Sequence, residues 1–229
     1  VKRISNRSIS ANRKRNIFII LTIALASALL SAIVLYGFGV MQETQNRNQK
    51  TAQIMYHAIS EQQGQELYKQ EEIAWVGEFF NAFSEQVNHS TVNFTYANAD
   101  MLKSQSMPYS GDLPASENEI VVQESFLDSL GYSNELGQTI QIPFSDGTTH
   151  DFKLTGILDV KTGDIGRYTA IISKELVRQQ YGDEGMIDYY IGLKGAQNMS
   201  EEEATNYANT LAQQLKISDD SVIVRSTYF

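Results

Sequence analysis

Between Ile17 and Val40 the chain runs for 24 residues, IFIILTIALASALLSAIVLYGFGV, without one charged side chain. As a helix this stretch is about 36 Å long, enough to cross a hydrocarbon layer of roughly 30 Å with some tilt. A buried helix of a water-soluble fold keeps some polar face over such a length, and this one has none. A cleaved secretion signal fits less well. The basic start and Ala24-Leu25-Ala26 suit one, but apolar residues continue far past Ala28, and signal cores are about 7–15 residues long. The run therefore predicts an uncleaved membrane helix over 17–40. Thr22, Ser27 and Ser31, with Ala24, Ala28 and Ala32, supply small residues on which another span could pack closely. A lone anchor of ordinary composition accounts for them equally.

Charge predicts the orientation. Lys2, Arg3, Arg7, Arg13, Lys14 and Arg15 precede the run, and no acid occurs before Glu43. Flanks rich in Lys and Arg stay in the cytoplasm, so the N-terminus is expected inside and residues 41–229 outside. Of 18 basic and 27 acidic residues in the whole chain, setting aside the six leaves 12 against 27, a net of −15 for the outer part. Such a balance keeps a domain soluble and disfavours nucleic acid as a partner. Residues 1–16, with Ile4, Ile9 and Ile17 as apolar points, suit the inner surface of an anionic lipid bilayer, although a plain orientation signal reads the same.

The chain has no cysteine, so neither disulfides nor thiolate chemistry support the outer part. Its histidines, His57, His89 and His150, lack metal-ligand spacing, and no metal site is expected. The final residues, VIVRSTYF, read as a strand and suggest a chain cut from something longer.

Periodicity past the span predicts strands and helices in alternation. Residues 41–53 lack turn formers and extend the membrane helix. Ile54–Ile59 reads as a strand, and Ser60-Glu-Gln-Gln63 as a capping box opening a helix that could reach about Glu72. Residues 78–90 are ambiguous between helix and strand, and Val92–Tyr96 alternates as a strand. Residues 104–118, with two of the three prolines, read as loop. Short strands follow at 119–122, 139–142 and 152–158. A short helix over 125–130 stops at Gly131, and Ser145-Asp-Gly-Thr148 marks a hairpin. Residues 169–172 form a strand, Ser173 opens a helix stopping near Gly182, and 189–193 form another strand. Ser200-Glu-Glu-Glu203 is a second capping box. Ala204, Tyr207, Ala208, Leu211 and Leu215 then recur at helical spacing, before a strand over 222–224. The fold class this predicts is α+β: one N-terminal transmembrane helix, then an outer domain of two β-α-β units flanking a small β-rich insertion.

Chemistry-bearing motifs are absent or weak. There is no Gly-rich phosphate loop, so this chain is not expected to hydrolyse ATP, no Gly-x-Ser-x-Gly is present, and no residue stands out as catalytic, cofactor-binding or metal-binding. Asp159–Asp164 lacks a calcium-loop pattern and reads as a turn. Glu201–Glu203 reads as a solvated helix start. Asn6, Asn88, Asn93 and Asn198 stand in glycosylation sequons of a kind that arise by chance. The 12 tyrosines suit a contact surface and a core equally.

Three stretches together resemble the permease subunits of ABC transporters of the FtsX/MacB-like type. They are NRSISANRKRNIFIILTIALASALL from Asn6 to Leu30, GDLPASENEIVV from Gly111 to Val122, and Leu136-Gly137-Gln-Thr-Ile140 with Phe152-Lys-Leu-Thr-Gly156-Ile157-Leu158. Their order covers nearly the whole chain. The resemblance implies a porter-like outer domain with a β-rich insertion, further membrane spans after it, a separate or fused ABC-type ATPase subunit, and a second permease copy in a dimer. It also implies mechanotransmission, in which ATP-driven motion of the first spans moves the outer domain. On this basis the expected division is a cytoplasmic lead-in 1–16, the span 17–40, a first porter-like half 41–110, the insertion 111–168 and a second porter-like half 169–229. A single-pass anchored sensor and a membrane-anchored enzyme stay open beside it, and the molecule moved is not legible.

Overall fold

The computed structural model describes residues 13–160, 166–182 and 187–225 and, within these, every side chain except those of residues 14 and 41–50. The lead-in over 1–12, with Asn6, and most of the Asp159–Asp164 turn lie outside the described residues. The chain divides into two units after Arg47.

The first unit is carried by α1 (Arg13–Lys50), one helix of 38 residues that includes the apolar run and continues through the polar stretch after it. Over the 26 residues Arg15–Val40 none of it is buried. A helix that is apolar all round needs lipid, not water, as its solvent. Two of its hydroxyls are satisfied within the helix: Thr22 Oγ1 donates to Phe18 O at 2.9 Å and Ser27 Oγ to Ile23 O at 2.8 Å. A medium without water requires this of any polar group.

The second unit contains, in chain order, β1 (Ile54–Ile59), α2 (Glu61–Leu67), β2 (Ile73–Val87), β3 (Ser90–Ala97), α3 (Ala99–Ser104), β4 (Tyr109–Gly111), β5 (Glu119–Gln123), α4 (Glu124–Leu130), β6 (Thr139–Pro143), β7 (Thr149–Leu158), β8 (Arg167–Ile172), α5 (Lys174–Tyr181), β9 (Ile187–Leu193), α6 (Glu201–Leu215) and β10 (Val222–Val224). The strands form one mixed sheet in the order β10-β1-β9-β2-β3-β8-β5-β7-β4, with β6 paired to β7.

Both expected β-α-β units are present, and they are interleaved. β1 and β2 flank β9, while β9 and β10 flank β1, every contact antiparallel. This makes a β-α-β-β-α-β layer whose α2 and α6 cover one face. Both capping boxes close as the sequence predicts. Gln63 N donates to Ser60 Oγ at 3.3 Å and Ser60 N to Gln63 Oε1 at 3.0 Å. Ser200 and Glu203 exchange the same pair at 2.8 and 3.2 Å. α2 stops at Leu67, short of the expected limit near Glu72. Ala204, Ala208 and Leu211 of α6 are buried against Ile54, Tyr56, Val76 and Ile191, and Tyr207 and Leu215 pack at the margin. Tyr56 OH donates to Ala208 O at 3.0 Å, which ties α6 to β1. Each large apolar side chain buried in this way contributes about 1.5–3 kcal/mol.

β2 continues past this layer for 15 residues in all, so the ambiguous stretch 78–90 is strand to Val87, then a turn before β3 starts at Ser90. It pairs with β3, which runs parallel to β8. β5, β7, β4 and β6 complete the sheet. A second core forms on the helix-covered face from Val92, Phe94, Ile120, Val122, Phe126, Leu127, Ile140 and Ile172. Strand side chains alternate between faces, so Val121 and Ile171 point the other way, where α3 covers them with Met101 and Leu102. Neither α3 nor β4 is foreseen by periodicity.

Candidate functional site

Glu78 is a charged residue inside the apolar strand run Trp75-Val76-Gly77-Glu78-Phe79-Phe80. It shares the inward face with Val76, and its side chain is 6% exposed. A buried carboxylate has to be paired and hydrogen-bonded, and three side chains from separate parts of the fold supply the partners. Tyr68, after α2, donates its hydroxyl to Oε1 at 2.9 Å, and Tyr96 of β3 donates to Oε2 at 2.6 Å. Lys174, the first residue of α5, places Nζ 2.9 Å from the same Oε2. The same Nζ lies 3.1 Å from Oε1 of Glu61, the first residue of α2, and 5.9 Å from the centre of the Tyr96 ring. Arg178, one turn along α5, pairs with the other oxygen of Glu61. Ser173 positions α5 by capping it, accepting from Leu176 N at 3.1 Å. Burial, and then the charge of Glu78, pushes the Tyr68 and Tyr96 hydroxyls upward, so both stay protonated donors.

The hydrogen bond from Arg178, with Lys174 beside it, holds the Glu61 carboxyl below the ordinary glutamate value. A carboxylate lowered on folding stabilises the fold above its unfolded pKa of about 4.3, and that contribution is lost as pH falls through the lowered value. Thermal unfolding followed from about pH 6 to pH 3 should show Glu61→Gln losing less stability than the wild type. Parallel curves would remove Glu61 from the acid response. Glu119, Asp146 and Glu203 are also lowered and titrate equally in both proteins.

On the opposite face β2, β3 and β8 with α3 leave a cleft of about 380 Å³, lined without a single charge by residues including Phe79, Asn81, Thr95, Gln105 and Tyr190. At the far side of the sheet residues of the second and third resembling stretches meet. Gly111 pairs with Gly156 across β4 and β7. A Cβ on Gly111, whose φ is +83°, would stand 2.3 Å from Thr155 O, and one on Gly156 would stand 2.6 Å from Ser110 O. Glu119 accepts from Ala115 N and Ser116 N at 2.9 and 3.2 Å, closing the turn that follows the Gly-x-Leu-Pro segment. These motif positions hold two strands in close contact.

The histidines stand on separate elements. His57 Nδ1 lies 2.7 Å from Asp188 Oδ1 on β1 and β9, His89 is in the β2–β3 turn at positive φ, and His150 on β7 packs on Phe144. Among the described residues no group of His, Asp and Glu is placed to hold a metal ion. Tyr56 and Tyr189 are fully buried. Sequence reasoning missed the cluster around Glu78, although a charge at an inward strand position was the available signal.

The family description for the MacB-like periplasmic core domain matches residues 17–211. The chain belongs to that family. Among curated proteins none matches the chain. The chain is similar to the periplasmic region of MacB from Actinobacillus actinomycetemcomitans, with a TM-score of 0.52 at 12% identity over 75% of this chain and 86% of that one. It is similar also to the extracellular domain of the noncanonic ABC-type transporter YknZ from Gram-positive bacteria, with a TM-score of 0.52 at 10% identity over 76% and 98%. At such identities the likeness speaks for the fold. The MacB-like core domain belongs to ABC transporter permeases, and the match here begins within a helix long and apolar enough to cross a membrane.

Proposed function

We propose that this chain is the first span and the extracytoplasmic domain of an FtsX/MacB-type permease, coupling ATP hydrolysis by a partner ABC-type ATPase subunit to movement of the outer domain for export or signalling. The N-terminus lies in the cytoplasm and residues 41–229 lie outside, as the six basic residues before the span favour. A second copy completes the working dimer, and lipid surrounds the span. The observation that carries the reading is that α1 continues from the apolar run to Lys50, four residues before β1 starts at Ile54. A continuous hydrogen-bonded helix is stiff along its axis, so displacement at its inner end would reach the start of the sheet domain. A Gly/Ser-rich segment is a flexible coil and absorbs displacement.

A Gly-Ser insertion between Thr44 and Lys50 is accordingly expected to abolish the ATPase-dependent phenotype of cells, while circular dichroism of the purified chain shows the sheet domain folded. Full retention of the phenotype would count against coupling through α1 and would favour a single-pass anchored sensor.

A further inference from the structure

β2 is the only strand shared by the two cores on the helix-covered face of the described sheet, and its partners change part-way along it. Residues 73–79 pair with β9, and residues 79–87 pair with β3 on the other edge. The two pairings overlap only at Phe79, which faces both Asp188 and Ala97. The β1-β9-β10 layer and the β3-β8-β5-β7 layer therefore meet through one short segment of backbone, Glu78–Phe79. A register irregularity follows at once, between Asn81 and Phe83. Bulged strands bend and twist locally.

Above this segment α2 and α5 stand apart across an open crevice of about 760 Å³, lined by Ser60, Glu61, Gln62, Glu175, Arg178 and Gln179. Charged groups join the two helices. Glu61 of α2 binds Lys174 and Arg178 of α5, and Lys174 is anchored on Glu78 at the point where the partners of β2 change. Asn98 laces the same segment, with Glu78 N donating to its Oδ1 at 3.0 Å and its Nδ2 donating to Val76 O at 2.9 Å.

We propose that Glu78–Phe79 is a hinge within the sheet domain, and that the Glu78–Lys174–Glu61–Arg178 clasp latches α2 to α5 and sets the angle between the two layers. This goes beyond the coupling proposed above, because the joint is internal to the domain and operates whether or not an ATPase is bound. Lys174 and Glu61 are positioning residues: they act on the hinge through Glu78 and on the crevice through each other. Packed elements with two arrangements switch by such small rotations, and a latch shifts the population between them.

The absence of cysteine makes the test direct. Spin labels are placed at Gln62→Cys and Gln179→Cys, both exposed on opposite walls of the crevice. Their separation is measured by pulsed electron resonance on the full chain in lipid nanodiscs. The unmodified clasp should give one narrow distance distribution, with any longer population below about 10%. Lys174→Met should raise the longer population to a comparable share, Glu61→Gln should raise it part-way, and Lys174→Arg should keep the narrow distribution. Loss of a purely structural contact would lower stability and leave the distance alone. A narrow, unshifted distribution in Lys174→Met with native circular dichroism overturns the latch. If Lys174→Met does not fold, the half-exposed Glu61→Gln decides: an unshifted distribution there overturns it, and so does a broad distribution with the clasp intact.

Discussion

Gly111→Ala is expected to destabilise the sheet domain by about 3 kcal/mol, lowering Tm by roughly 6–12 °C for a domain of this size. Two effects add. The residue sits at φ +83°, where an L side chain costs about 1–2 kcal/mol. The new Cβ would also lie 2.3 Å from Thr155 O and 2.9 Å from the Cα of Gly156. Those atoms belong to the backbone of β7, paired on both sides by β5 and β4 and on its first half by β6, so they cannot rotate away as a side-chain tip could. Overpacking of this kind costs about 1–3 kcal/mol. Gly131→Ala separates the two effects, because Gly131 has φ +79° and open space for 4 Å around the position its methyl would take. It should show only the backbone cost, about 1–2 kcal/mol. Equal losses for the two variants in thermal unfolding would mean that the β4–β7 contact relaxes freely and that the glycine of the Gly-x-Leu-Pro segment has no steric role.

Lys174→Met is expected to cost about 3 kcal/mol in chemical denaturation of the chain in detergent. Breaking a buried pair by removing one member costs about 3–5 kcal/mol, because the charge left behind is uncompensated. The low end applies here for two reasons. Tyr68 and Tyr96 continue to donate to Glu78, and the Lys174 side chain is 18% exposed rather than sealed. Methionine fills the space of the lysine stem, so little of the loss is cavity. Adding Glu78→Gln should recover part of the loss, since the pair is then replaced rather than broken. Losses that simply add in the double variant would show that Glu78 and Lys174 do not act as a pair.

Much of the local structure was legible from residues near one another in the chain. The apolar run, the Ser60 and Ser200 capping boxes, the Ala204–Leu215 stripe and the glycine stop after Leu130 each depend on neighbours within one or two helical turns. The hairpin at Asp146-Gly147 is equally local, with Phe144 N donating to Thr148 O at 2.8 Å. β2 was ambiguous because a register irregularity after Asn81 breaks the alternation by which a strand is recognised. α3 and β4 are too short for any period to show; the Asn98 cap, accepting from Met101 N at 2.9 Å, was the one trace of α3. The Glu78 cluster was invisible because Lys174 lies 96 residues from Glu78, and Arg178 lies 117 from Glu61.

The order of residues by itself determined that one segment needs lipid, that the rest alternates helix with strand, and where most helices begin, because solvent preference and capping are properties of the local chain. Tertiary structure alone decided that the two β-α-β units interleave, that β3 joins β8 in parallel, and that Glu78 meets Lys174. Backbone edges are chemically alike from strand to strand, so nothing local selects a partner. The selection is made by which apolar faces can share a core and by whether the one buried carboxylate on β2 finds its donors.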